Sequence, residues 1–92
     1  MNIHGIVAKH FNYQGSYKFF DIVEDLVERV FDMTEEDPDD EIWDAIDQGL
    51  IYYDDQWEVL KYYCTPQDAN FNEALEELYN DIYEIWTVAR GM

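Results

Sequence analysis

The chain has a single cysteine, Cys64, so no intrachain disulfide can form and no set of thiolates exists to hold zinc. A reducing, cytoplasmic setting is expected, with Cys64 as a small core side chain. No apolar run approaches the roughly 18 residues of a membrane-spanning helix. The opening MNIHGIVAKHF also lacks the apolar stretch and small-residue cleavage site of a secretory signal. A soluble, unprocessed chain without membrane contact is expected. Two prolines and four glycines leave few interruptions to regular structure. The scarcest commodity is positive charge: five Lys and Arg stand against 22 Asp and Glu, a formal net charge of -17. Between Asp32 and Glu58 there is no Lys or Arg at all.

Strong negative charge is common in disordered tails, where too few apolar groups offset the conformational entropy lost on folding. This chain is instead 48% apolar and 17% aromatic. It reads as a folded protein with an acidic exterior, and its 92 residues make one domain, 1-92.

From Ser16 to Met33 the apolar residues Phe19, Phe20, Ile22, Val23, Leu26, Val27, Val30 and Phe31 recur at three- and four-residue steps, which predicts an amphipathic helix. The stretch Met33–Glu41 reads as a connector stopped by Pro38, with Asp39 or Asp40 placed to cap the next helix. That helix is expected from about Glu41 to Tyr53, with Ile42, Trp43, Ile46 and Leu50 inward, unless Gly49 ends it early. Asp54 and Asp55 read as a turn, and Gln56–Cys64 as a short helix through Trp57, Leu60 and Tyr63 or Cys64. Thr65-Pro66-Gln67-Asp68 has the order of a helix start, so the last helix is expected from Pro66 or Phe71 to Ala89. Its inward residues would be Phe71, Leu75, Leu78, Ile82, Ile85 and Trp86, with Arg90 and Gly91 ending it. Ile3, Ile6, Val7 and Phe11 allow a further short helix. The fold class is therefore all-α, a compact bundle of four to five helices with acidic outer faces.

Enzymatic chemistry finds no support in these residues. The chain has no nucleophile elbow, no Ser-His-Asp order and no Gly-rich phosphate loop, and carboxylate pairs occur by chance among so many acids. Asp37, Asp39 and Glu41 alternate as in the start of a calcium-binding loop, but Ile42 and Gln48 occupy the positions that require Gly and Glu. Neither His4 nor His10 follows a Glu by three residues, so the di-iron bundle pattern fails too. The expectation is a non-enzyme without metal or cofactor.

The acids themselves are patterned. Asp21, Glu24, Asp25, Glu28 and Asp32 form one helical stripe, and Glu73, Glu76, Glu77, Asp81 and Glu84 form a second. Each stripe covers eleven helical steps of about 1.5 Å, giving one carboxylate per about 4 Å. One strand of DNA carries a phosphate per about 3.4 Å. Glu35, Glu36, Asp37, Asp39, Asp40, Glu41, Asp44, Asp47, Asp54, Asp55 and Glu58 continue the charge through the middle of the chain. Solubility needs a net charge of only about 2 to 8 in a small domain, and the excess repels itself. Two readings follow: phosphate-like carboxylates that occupy a DNA-binding surface, or an acidic adaptor for a basic surface that does not bind DNA. Tyr52, Tyr53, Trp57, Tyr62, Tyr63, Tyr79 and Tyr83 exceed the obvious needs of one small core. A homodimer interface and a core with an amphipathic rim are both open for them.

Over its whole length, including NIHGIVAKHFNYQGSYKFF and the run EEDPDDEIWDAIDQGLIYYDDQWEVL, the chain resembles the anti-restriction nuclease family (Arn) of T-even bacteriophages. In broader character it is similar to the phage and plasmid anti-restriction proteins Ocr and ArdA, acidic dimers that mimic DNA. The resemblance implies an early phage protein in the host cytoplasm that blocks the modification-dependent restriction endonuclease McrBC. It also implies histone-like nucleoid proteins as further partners, with no direct binding of nucleic acid. These groups share charge and shape more than motifs, so the resemblance assigns no single residue a role.

Overall fold

The structure is a computed structural model that describes residues 2–65 and 67–91. Five helices follow one another: α1 (Ile3–His10), α2 (Tyr17–Met33), α3 (Asp39–Gly49), α4 (Tyr53–Tyr63) and α5 (Phe71–Arg90). No strand occurs among the described residues. The class is all-α, a small helical bundle, as the apolar periodicity predicts.

Helix α2 is the hub and packs against all four others. Its start is fixed by Ser16, whose hydroxyl accepts the Phe19 N–H at 3.0 Å, the usual way to satisfy a free donor at a helix start. Phe19, Phe20, Val23, Leu26, Val27 and Val30 are buried along its inner face. Ala74, Leu78, Ile82, Ile85, Trp86 and Ala89 of α5 meet them, and Val7, Ile42, Ala45, Ile46 and Val59 close the core from the shorter helices. Phe11, Phe19, Phe20, Tyr62 and Tyr63 form one aromatic cluster in which Tyr62 stacks on Phe19 at 4.1 Å. No polar or charged side chain is buried among the described residues. Apolar burial is therefore the source of stability, at roughly 25 cal/mol per Å².

Two tight passages explain two glycines. A Cβ on Gly49 would lie 2.4 Å from the buried Leu26 Cδ2, so any larger residue there requires Leu26 to shift within the core. A Cβ on Gly15 would lie 2.9 Å from the Phe20 ring. The chain turns into that passage through Asn12 and Tyr13, both in the left-handed region at φ 54° and 60°.

Several boundaries differ from the sequence reading. Helix α3 ends at Gly49, the earlier of the two ends the sequence allows, rather than at Tyr53. Its N-cap position is Pro38, with Asp39 and Asp40 inside the first turn, where the helix dipole favours acids without a capping bond. Asp54 and Asp55 are the first turn of α4 rather than a loop, for the same reason. Asn70, not Thr65, caps α5: its side chain accepts from the N–H groups of Asn72 and Glu73 at 3.0 and 3.3 Å. Thr65 instead closes a turn with Asp68, while Pro66 lies outside the described residues. Phe71 and Leu75 are only half-buried, and Ala74 and Ala89 take the inner positions. Trp43 is not on the inner face of α3; Ala45 is. Cys64 is half-buried against the core.

Candidate functional site

The acids are sorted by what lies beside them. Glu24, Glu41, Asp55, Glu58 and Asp81 are half-buried, and every other Asp and Glu is exposed. On α2, Asp21, Glu28 and Asp32 face solvent without an ion partner among the described residues, whereas Glu24 meets His4 at 2.9 Å and Asp25 meets Arg29 at 2.8 Å. The connector carries Glu35, Glu36 and Asp37, all exposed. Helix α3 adds Asp39, Asp40, Asp44 and Asp47 on its outer side, with Glu41 half-buried. Helix α4 contributes Asp54, exposed, and Asp55 and Glu58, which face Lys18 at 3.8 Å and Lys61 at 2.9 Å. On α5, Glu73, Glu76 and Glu77 are exposed and form one wall of an open groove with Tyr63, Cys64, Thr65, Asp68 and Asn80. Glu84 is exposed and Asp81 is drawn inward.

The stretch without Lys or Arg in sequence is approached by cations from elsewhere. Arg90 donates to the Glu36 carbonyl oxygen at 3.2 Å and lies 5.0 Å over the Trp86 ring. Lys18 comes from α2 to Asp55. These contacts leave the outer face of α3, the first half of α5, the connector and Asp21, Glu28 and Asp32 of α2 as carboxylate surfaces without a cation among the described residues.

Asp81 ties three helices together. One oxygen takes His10 Nε2 of α1 at 2.8 Å, and the other accepts the Tyr63 hydroxyl of α4 at 2.5 Å. Burial first, and then the bond to Asp81, push the Tyr63 hydroxyl far above the ordinary tyrosine value. Tyr79 is raised as well, by burial and by the bond it donates to Asp39. Glu58 moves the other way. The Lys61 ammonium holds its carboxyl below its ordinary value, against the opposing effect of burial and with help from the Ser16 hydroxyl at 2.9 Å.

The tyrosine shifts have a consequence at high pH. A group whose folded value lies above its unfolded value of about 10 contributes stability that is complete below that pH and is lost as pH rises beyond it. Helix content is therefore expected to fall above about pH 10. Tyr63→Phe, less stable at pH 7, should decline more gently with alkali. Circular dichroism against pH checks this, and equal alkaline slopes for the two proteins would contradict it.

Two groupings offer three cation donors each: His4, Asp21 and Glu24, and His10, Asp81 and Glu84, with ligand-type atoms within 4.8 Å of one another. Both use a histidine of α1 and an acid pair three residues apart on a neighbouring helix. Neither grouping has a local spacing signal, because its histidine and its acids are distant along the chain.

The aromatic set divides. Tyr62 and Tyr63 belong to the core cluster, while Tyr52 and Tyr53 are 67% and 77% exposed. Trp43 of α3 stacks on Tyr79 of α5 with ring centroids 5.0 Å apart at 14°, and Tyr83 lies 6.2 Å from Tyr79. Compared with known protein families, curated proteins and solved structures, the chain matches none. What the fold and surface define is an all-α bundle with an apolar core and an anionic exterior. No described helix is long and apolar enough to cross a membrane.

Proposed function

We propose that this protein is a DNA mimic, which occupies the DNA-binding surface of a basic partner and so displaces DNA from it. The observation that carries the reading is the density of carboxylates left without cations on the outer faces of α2, α3 and α5. A net charge of -17 along a long axis of 38 Å is one charge per about 2.2 Å. Duplex DNA carries one per about 1.7 Å, so the two are within about a third of each other. The same 38 Å corresponds to about one turn of duplex.

The carboxylates would stand in for phosphates, which fix a protein on DNA without reporting base sequence. Inhibition is thus competitive and tolerant of partner identity, provided the partner presents a Lys- and Arg-lined DNA site. The resemblance drawn from the sequence points to a host restriction endonuclease, and to histone-like nucleoid proteins, as such partners. Asp81, Glu24, Asp25, Asp55 and Glu58 contribute to the field but spend their close contacts inside the fold.

The test is competition. With a histone-like protein bound to a labelled duplex, the chain should release the duplex at low salt. The effect should weaken at least about tenfold between roughly 50 and 200 mM salt, as charge–charge binding is screened. An acidic adaptor for a surface that does not bind DNA would bind its partner without being competed off by added duplex.

A further inference from the structure

We infer that the seam between α3 and α5, where Trp43, Tyr79 and Tyr83 lie within a carboxylate rim, is a receptor for arginine side chains of the basic partner. The inference rests on the DNA-mimic reading for the partner's identity, and on the seam alone for its preference for arginine.

Trp43 and Tyr83 are each 37% exposed, so both rings can be reached from solvent. Tyr79 between them is held on two sides, by stacking on Trp43 and by the bond its hydroxyl donates to Asp39. The aromatic face is therefore fixed before any partner arrives. Asp39, Asp40 and Asp47 stand four and three residues before and four residues after Trp43, the spacings that place side chains beside it on one helix face. Glu76 precedes Tyr79 by three on α5.

A planar guanidinium can stack on the rings and bond a neighbouring carboxylate in one pose. An ammonium can do the second but gains less from the first, because it is a compact and strongly hydrated point charge. The chain already shows the ring contact, with a backbone carbonyl of Glu36 in place of the carboxylate, at the far end of the same flank of α5. Tyr79, Tyr83, Trp86 and Arg90 follow at helical spacings, and the Arg90 guanidinium lies over Trp86 at 5.0 Å. At Trp43 and Tyr83 the rings are exposed and the rim is acidic, with no cation of the described chain paired to Asp39, Asp40, Asp47 or Glu76. Charge complementarity thus favours an arginine supplied from outside. Duplex DNA offers no such exposed aromatic plate along its phosphates, so the seam would add affinity that phosphate imitation alone does not provide.

The experiment measures binding of an oligo-arginine and an oligo-lysine peptide of equal length by calorimetry, at two salt concentrations. The wild-type chain is expected to hold the arginine peptide about fivefold tighter, the scale of an exposed cation–π contact. Trp43→Leu and Tyr83→Leu should each cut that preference to less than about twofold while leaving oligo-lysine binding and helix content unchanged. Tyr83 donates no side-chain bond among the described residues, so its variant keeps the test open should Trp43→Leu lose structure. Equal affinity of the wild type for the two peptides, or a preference retained in Tyr83→Leu, would overturn the inference. A chain that prefers arginine through the seam but leaves DNA complexes intact upholds the seam and overturns the mimic. One that releases DNA yet prefers neither peptide does the reverse.

Discussion

Replacing Asp40, Asp44 and Asp47 by Asn, and Glu73, Glu76 and Glu77 by Gln, should weaken DNA displacement about a hundredfold while raising the melting temperature. All six carboxylates are exposed and none has an ion partner among the described residues. An exposed ion pair across an interface contributes about 0.5 kcal/mol, so six amount to about 3 kcal/mol. That is roughly two orders of magnitude in affinity. Within the free chain the helix dipole favours Asp40 and Glu73 in the first turns of α3 and α5, but the mutual repulsion of so many like charges outweighs it, so their removal relieves the folded state. Competition binding and thermal melting on the same sample check both signs. Unchanged inhibition would mean that these faces are merely solvated.

Asp81→Ala should act in the opposite direction, lowering stability by about 3 kcal/mol although it too removes a negative charge. The carboxylate accepts two bonds, from His10 and Tyr63, and its side chain is only 25% exposed. Bonds to a charged group contribute about 1.5–3 kcal/mol each, and partial exposure reduces that figure. For a domain of this size the loss corresponds to a fall in melting temperature of more than about 10 °C. A double-mutant cycle with Tyr63→Phe should show strong coupling, since both changes break the same bond. A rise in melting temperature for Asp81→Ala would place Asp81 with the purely surface acids.

The contrast between these variants marks what sequence can and cannot disclose. Helices α2 and α5 were legible because their apolar positions repeat over many turns and a single period satisfies all of them. The starts of α4 and α5 were not, since Asp54–Asp55 and Thr65–Asp68 suit a turn and a first helical turn equally well. Of the two starts expected for α5 the later one, Phe71, is taken, with the Asn70 side chain satisfying the free N–H groups of Asn72 and Glu73. Trp43 lies one residue from the buried Ile42, about 100° around the helix, and only the position of α5 decides that it faces Tyr79.

The acidic surface was visible as a count and as stripes, but its division into free and committed carboxylates was not. His10 and Asp81 are 71 residues apart, and Tyr79 and Asp39 are 40 apart. No periodicity within one helix carries such information. Asp81, placed on an outer stripe by spacing alone, is the joint between α1, α4 and α5.

The most direct measurement is a titration of the chain into a complex of labelled duplex DNA with a basic DNA-binding protein at low salt, followed by fluorescence anisotropy. The duplex should be released as a complex of chain and protein forms, and the chain alone should leave free duplex unchanged. A duplex that stays bound in the presence of excess chain would contradict the DNA-mimic reading.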